Sequence, residues 1–305
     1  MQFSIKRDIL LKSLNFVQGV VEKKNTLPIL SNVLLQLKDN KLSIVATDLD
    51  IIFYDEISDV KIVNEGSTTT SAAILYDILR KISSNSELNF ELKSENKISL
   101  KSDNSVFNLL CLPTDNFPTF TDEFEGNEIS LNNLRFLKLL NKTRISISND
   151  DTRHYLNGVF LHLTEAHGRN FLTGVATDSH RLSSSSLEVD KNDFNPLILP
   201  RKTVFQLCSL LSESTEQLMM QSSENKIKFT FGKIKLISKV IDGKFPDYKK
   251  VVPTSNDKIL TVPSKEFINS IERVASVSLD RKEGVKLAIN KDNVQLSVNS
   301  ANSGE

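Results

Sequence analysis

Val175-Ala176-Thr177-Asp178-Ser179-His180-Arg181-Leu182 has a shorter twin 130 positions upstream, Val45-Ala46-Thr47-Asp48-Leu49-Asp50, with four residues identical in register. A match of this kind asks for a test of internal repetition before any site is argued. Further pairs follow in the same order. Ser94-Glu95-Asn96-Lys97-Ile98 returns as Ser223-Glu224-Asn225-Lys226-Ile227, and Phe117-Pro118 as Phe245-Pro246. Asn32-Val33-Leu34-Leu35-Gln36-Leu37 is echoed by Gly158-Val159-Phe160-Leu161-His162-Leu163 and again by Gly284-Val285-Lys286-Leu287-Ala288-Ile289. Ordered matches with a slowly drifting offset describe a tandem array of one unit with small loop insertions. The boundaries fall at residues 1–125, 126–253 and 254–305, and Glu305 corresponds to Phe53 of the first copy. A sheet face without its partner leaves apolar surface in water, so the third copy reads as cut short.

Composition narrows the class. An apolar fraction of 39% and a charged fraction of 25% over 305 residues suit a globular chain able to bury a sizeable core. Lys+Arg and Asp+Glu both number 38, so bulk charge selects no partner, although local arrangement still can. Cys111 and Cys208 stand far apart inside apolar segments, which reads as two buried thiols in a reducing compartment. No apolar run approaches the roughly 20 residues that span a bilayer, and Lys6, Arg7, Asp8 and Lys12 interrupt any signal-peptide core. The expectation is a cytoplasmic protein with no membrane partner.

Inside one unit a smaller rhythm appears. Phe3-Ser4-Ile5 alternates like a strand, and Lys6 to Val21 reads as a helix with Leu10, Leu14, Val17 and Val21 on one face. Strand-like runs follow at Val33–Leu37, Leu42–Ala46 and Ile51–Ile57, the first two joined by Asp39-Asn40, which tolerate a left-handed turn. The order then repeats: strand Thr68–Thr70, helix Ala72–Ile82, strands Leu88–Leu92, Ile98–Lys101 and Val106–Leu110. The second copy places Phe136, Leu139, Leu140 and Thr143, then Val204, Leu207, Cys208 and Leu211, on inward helix faces; the third places Phe267, Ile271 and Val274 there. The fold class is α+β, with helices segregated on one face of antiparallel sheet.

Each helix also carries cations opposite its apolar stripe. Lys12, Arg80, Lys138, Lys142, Lys202, Lys265 and Arg273 are predicted to point outward, with Asn15, Asp77, Asn141 and Gln206 beside them. Exposed lysines usually serve solubility alone. If the copies turn their helices to a common face, however, these cations form one basic surface on a neutral chain.

Candidate chemistry is sparse. Asp48 and Asp50 share a strand face and are candidates for a metal, but the second copy replaces them with Asp178 and His180, and no third ligand accompanies either pair. Asp178, Ser179 and His180 supply the residue types of a hydrolase triad, yet adjacent extended residues point to opposite faces, and no G-x-S-x-G elbow supports them. His154, His162 and His167 follow no zinc spacing, and neither a Walker A loop nor G-x-G-x-x-G is present. The sequence predicts no catalytic residue, no metal and no cofactor.

Thr26-Leu27-Pro28-Ile29-Leu30, Tyr155-Leu156-Asn157-Gly158, Val175 to Leu182, Pro200-Arg201-Lys202 and Phe245-Pro246-Asp247-Tyr248 stand in the order and at the spacing of one family. The chain resembles the bacterial sliding clamp, the beta subunit of DNA polymerase III, from Met1 to about Val298. The resemblance implies tandem clamp domains with sheets outside and helices lining a hole that holds duplex DNA, two chains joined head to tail as a homodimeric ring. It implies a non-catalytic processivity role in DNA replication, and as partners duplex DNA, the replicative polymerase catalytic subunit, the clamp loader and other proteins bearing a clamp-binding motif.

Carried over residue by residue, the resemblance implies DNA contacts at Lys12, Lys24, Lys138, Asn149, Arg201 and Lys202. Ala73 and Ile74 stand where cations are expected, and Lys23-Lys24-Asn25 and Asn149-Asp150-Asp151-Thr152-Arg153 are the two matching loops. It implies a partner-peptide pocket at Thr177, His180, Arg181, Leu182, Pro246, Lys250 and Val251. It implies a dimer interface at Phe107 and Leu109 facing Ser276 and Val277. A chain ending at Glu305 is expected to close rings and bind peptides poorly, which a stable dimer in light scattering would refute. Two other readings stay open: a metal-dependent hydrolase using Asp48 and Asp50, and a monomeric β-rich interaction module. Retention on circular but not linearised DNA separates clamp from module.

Overall fold

The computed structural model describes residues 1–22, 27–118, 124, 126–191, 193–278 and 284–299. It divides into two compact units, residues 1–245 and residues from Pro246 onward. The first unit contains the two complete copies.

The first copy runs β1 (Gln2–Lys6), α1 (Arg7–Val17), β2 (Asn32–Lys38), β3 (Lys41–Thr47), β4 (Ile51–Ile57), β5 (Lys61–Asn64), β6 (Gly66–Ser71), α2 (Ala72–Lys81), β7 (Glu87–Ser94), β8 (Lys97–Ser102) and β9 (Ser105–Leu112). The second runs β10 (Asn127–Leu131), α3 (Asn133–Thr143), β11 (Gly158–Ala166), β12 (Arg169–Thr177), β13 (Leu182–Glu188), β14 (Leu197–Pro200), α4 (Arg201–Ser212), β15 (Leu218–Ser222), β16 (Lys226–Phe231) and β17 (Ile234–Lys239). Strand–helix–three strands occurs four times, as the internal repeat predicts. The exception is β5, a short edge strand paired with β1 that the sequence reading leaves as loop. α1 also ends at Val17, four residues before the expected Val21, in a tight turn closed by Val20 N–H to the Val17 carbonyl at 3.0 Å.

Each half lends its first strand to the other half's sheet. The neighbours run β10-β15-β16-β17-β4-β3-β2-β6-β9-β8-β7-β1-β5, and separately β13-β12-β11-β14. Thus β1 extends β7-β8-β9 and β6 extends β2-β3-β4, and the second copy does the same with β10 and β14. Phe3 opposes Phe90 across β1 and β7, their rings stacked 4.7 Å apart. The hairpin β2–β3 turns on Asp39 and Asn40, both with positive φ (51° and 59°), and β11–β12 turns on His167 and Gly168 (52° and 70°). Two left-handed residues give the turn whose twist matches the strands.

The helices follow from pattern and caps. Ser71 Oγ accepts the Ile74 N–H and Asn132 Oδ1 accepts the Arg135 N–H, closing the first turns of α2 and α3. Leu10, Leu14 and Val17, Leu75 and Leu79, Phe136, Leu139 and Leu140, and Val204, Leu207 and Leu211 are all buried in one cluster with sheet residues such as Leu35, Ile44, Phe53, Phe90, Phe229 and Leu236. The 3.6-residue stripes therefore face the sheets, and each such side chain contributes about 1.5–3 kcal/mol on burial. The helices form a row in the order α2, α1, α4, α3.

The two copies join through β17 and β4, antiparallel, with Lys235 opposite Tyr54, Leu236 opposite Phe53 and Ile237 opposite Ile52. One expectation is corrected here. Gln206 does not point outward: it is buried, and its Nε2 donates to the Phe16 carbonyl at 2.7 Å across α4 and α1. The Phe16 carbonyl also accepts the Gly19 N–H at 3.0 Å, so the amide takes the second lone pair of a carbonyl at the end of α1.

The second unit contains a 3-10 turn at Tyr248–Lys250, α5 (Ser264–Ala275), β18 (Lys286–Ile289) and the antiparallel β19 (Val294–Ser297). Phe267, Ile271 and Val274 are half-buried on one side of α5 while Lys265 and Arg273 are exposed, which matches the predicted faces.

Candidate nucleic-acid interface

The repeated Ala-Thr-Asp stretch is a backbone clasp. Asp48 Oδ1 accepts the N–H groups of Asp50 (3.0 Å) and Ile51 (2.7 Å); Asp178 Oδ1 accepts those of His180 and Arg181, both at 3.0 Å. Thr47 Oγ1 takes the Leu49 N–H and Thr177 Oγ1 the Ser179 N–H. Leu49 and Ser179, at matched positions, hold φ of 79° and 78°. A short acceptor satisfies the N–H groups of a sharp turn that the ladder cannot. The clasp joins β3 to β4 and β12 to β13, which is why these residues recur. Their chemistry is consumed in that work, and among the described residues no group of three or more His, Cys, Asp or Glu is arranged to hold a metal ion.

In the first copy the clasp also anchors the second. Lys202, at the start of α4, donates through Nζ to Asp48 Oδ2 (2.6 Å), the Val20 carbonyl (2.9 Å) and Glu22 Oε1 (3.2 Å). The Asp48 side chain is only 8% exposed there, so the ion pair is shielded from water. Lys239 adds a second tie at the same joint, with Nζ 2.8 Å from Asp50 Oδ1 and its N–H on the Asp50 carbonyl. Lys202, expected on the DNA-facing surface, is thus committed to the joint between copies. Its spacing on the helix does not reveal this, because the partners lie more than 150 residues away.

The remaining expected cations are dispersed along the helix row. Lys12 on α1 and Lys138 on α3 are exposed. Arg201, at the first position of α4, is half-buried with its guanidinium carbon 5.0 Å from the Phe205 ring centroid. Lys24 lies outside the described residues. Asn149 is exposed beside Asp150, whose carboxylate caps the turn Asp151–Leu156. Hydrogen bonds from Thr152, then the Arg153 guanidinium, hold the Asp150 carboxyl below the usual range. Arg153 also donates to Ser179 Oγ at 2.6 Å, so this loop braces the second clasp.

Between the copies lies a cleft of ≈590 Å³ whose lining includes Asp8, Lys12, Phe16, Leu210, Glu213 and Lys233. At its wall Asp55 accepts a hydrogen bond from Ser13 Oγ, and burial pushes its carboxyl up against the opposing pull of Ser13 and Lys12.

The expected peptide-pocket residues divide between the units. In the first, Thr177 Oγ1 donates to the Arg181 carbonyl at 2.8 Å, His180 and Arg181 are exposed, and Leu182 is half-buried. Burial raises Asp178, but the N–H groups of Arg181 and His180 and the Arg181 guanidinium together bring it below the usual range. In the second, Pro246, Lys250 and Val251 are exposed, and Lys250 pairs with Asp247 at 3.2 Å.

The expected dimer residues also differ among themselves. Phe107 lines a groove of ≈530 Å³ with Ile74 and Ile78 of α2 and Ile82 just after it. Leu109 is instead part of the buried core, while Val106 and Leu110, on the opposite pleat, are 58% and 81% exposed. Ser276 caps α5 and Val277 is half-buried after it.

Two clasped α+β copies, joined edge to edge with their helices in a row, define a clamp-type architecture rather than an enzyme. Three family models of the DNA polymerase III beta subunit match in series: the N-terminal domain over residues 1–121, the central domain over 130–247 and the C-terminal domain over 249–305. The beta sliding clamp of Caulobacter vibrioides is 37% identical across 100% of this chain and 82% of its own length, and that of Escherichia coli 33% identical across 98% and 81%. A Caulobacter crescentus beta sliding clamp structure superposes with a TM-score of 0.93 at 37% identity, covering 100% of this chain and 81% of that one. A Bartonella birtlesii sliding clamp bound to griselimycin gives 0.94 at 37% identity, with 100% and 82% covered. The chain belongs to the DNA polymerase III beta subunit family. It is a sliding clamp for the replicative polymerase, a processivity subunit without catalysis of its own, and the reading of Asp48 and Asp50 as a hydrolase site is not favoured.

Proposed function

We propose that the protein in its full-length form acts as a head-to-tail pair of chains closed around duplex DNA, its helix row facing the phosphates. The observation that carries this is the β17–β4 joint. By the repeat, β9 is the first copy's equivalent of β17, and β13 the second copy's equivalent of β4. Among the described residues β9 is paired with β6 only at Leu112 and Cys111, which leaves the edge of Ser105–Leu110 open, and β13 ends its sheet. Each open edge is one half of a joint the molecule already makes once. Heterologous edges of this kind close into a ring when the rotation permits.

Lys12, Lys24, Lys138, Asn149 and Arg201 then touch phosphates, giving weak, salt-sensitive and sequence-independent attraction. Lys202 supports that surface from behind by fixing the joint. Phe107 and the exposed side of β9 meet the region of Ser276 and Val277 of a second chain. Thr177, His180, Arg181 and Leu182 in the first unit, and Pro246, Lys250 and Val251 in the second, are the residues we assign to short peptide motifs of the polymerase catalytic subunit, the clamp loader and other partners. A tethered polymerase meets its template at high effective concentration without tight DNA contacts. No helix among the described residues is long and apolar enough to cross a membrane, in keeping with work in the cytoplasm. Loading on nicked circular DNA tests the reading. Retention through a high-salt wash, abolished by linearising the circle, is expected; equal release from both forms overturns it.

A further inference from the structure

We infer that Arg144, to which the repeat and the family resemblance assign no role, is a duplex-phosphate contact, and that Phe205 is the positioning residue that holds it beside Arg201. The inference rests on the helix row facing DNA. Arg144 caps the C-terminus of α3, Arg201 opens the adjacent α4, and Phe205 lies one turn further along α4 with 41% of its surface exposed. The two guanidinium carbons stand 5.2 Å and 5.0 Å from the Phe205 ring centroid. One aromatic ring, on the solvent side of the helix row, thus gathers two cations from two helices.

The chemistry of the other arginines sharpens the point. Arg7, Arg153, Arg169 and Arg181 each sit on a carboxylate, while Arg80 stacks by itself on Tyr76 within α2. Being free of a carboxylate is therefore not peculiar to Arg144 and Arg201; sharing one ring across two helices is. Arg144 and Arg201 pair with none among the described residues; the Arg144 neighbours are the ring and the Cys208 thiol. Stacking occupies the face of a guanidinium and, apart from the Arg144 donor spent on the Cys208 thiol, leaves the in-plane N–H groups available, and those donors match a phosphate's oxygens. The ring also limits the rotamers that a long side chain would otherwise lose on binding. The resulting pair offsets the absence of cations at Ala73 and Ile74.

The test is binding of a short fluorescent duplex by the full chain, followed by anisotropy across a salt series. Arg144→Gln is expected to lower the slope of log K against log salt by about 0.9, the value of one phosphate contact. Phe205→Leu, which keeps apolar bulk but no ring, is expected to weaken binding several-fold at low salt, whereas Phe205→Tyr retains parental affinity. Thermal melts confirm that each variant is folded, and Arg144→Lys, which keeps charge without a stacking plane, stands in if Phe205→Leu is not. An unchanged slope for Arg144→Gln, alongside a lowered slope for Lys138→Gln, overturns this inference while leaving the helix face in place. Unchanged slopes for both overturn the DNA-facing reading itself. Equal affinity for Phe205→Leu and Phe205→Tyr removes the positioning role.

Discussion

Lys202 Nζ and Asp48 Oδ2 lie 2.6 Å apart across 154 residues of sequence, so the turn that closes a hairpin in one copy also fixes the first helical turn of the next. One carboxylate does both tasks with different oxygens. This makes the joint between copies part of the fold of each copy.

Severing that tie should loosen the first unit as a whole. Lys202→Met leaves a shielded carboxylate without its cation, and a loss of about 1–3 kcal/mol is expected from the charged hydrogen bond. Asp48→Asn keeps the acceptor for the turn but turns an amide NH2 toward the Lys202 ammonium, so it loses both the charge and that hydrogen bond and should cost a similar amount. Urea unfolding of both single variants and the double variant gives the coupling. A coupling near zero would mean that the pair is incidental.

Asp55 carries the opposite sign. Burial raises its carboxyl above the unfolded value, so the folded state prefers the protonated form. The resulting penalty is present above the folded pKa and disappears as pH falls towards the ordinary carboxylate range. Asp55→Asn keeps a partner for Ser13 and should raise the melting temperature at neutral pH, with the gain shrinking to nothing in acid. A gain independent of pH contradicts that account.

Two glycines should fail for different reasons. A Cβ on Gly158 would lie 2.2 Å from the Leu199 carbonyl oxygen, where β11 meets β14, and neither backbone can retreat cheaply. Gly158→Ala should cost about 2–3 kcal/mol as overpacking. Gly168 has open space but φ of 70°, so Gly168→Ala should cost only about 1 kcal/mol of backbone strain. Denaturation midpoints of the two variants check the order.

Most of the fold is legible in the chain because its signals are local and repeated. Val45 to Asp50 and Val175 to Leu182 recur because one turn needs a threonine and an aspartate at fixed offsets. The apolar stripe of α1 or α3 names its buried face directly. What escapes is long-range. Gln206 reads as a surface residue until Phe16 is placed opposite it, and Lys202 reads as a free cation until the first clasp arrives. Leu109 and Leu110 alternate as any strand does, and only the sheet's orientation says that the first is core and the second exposed. β5 escapes because Lys61–Asn64 is short and mostly exposed, with one half-buried isoleucine and no apolar alternation to mark it. The grouping of Arg144, Phe205 and Arg201 has no sequence signature, since it requires α3 and α4 to be neighbours.

The central claim is that the helix row, and not the sheet surface, meets nucleic acid. Lys138 is exposed on α3; Lys101 is exposed on β8, next to Leu100, which is buried beneath the helices. Replacing each in turn with a photoreactive residue removes the same charge from the two sides. Irradiation with duplex DNA should cross-link the protein through position 138 and not through position 101. Equal cross-linking at both, or a preference for 101, would contradict the account.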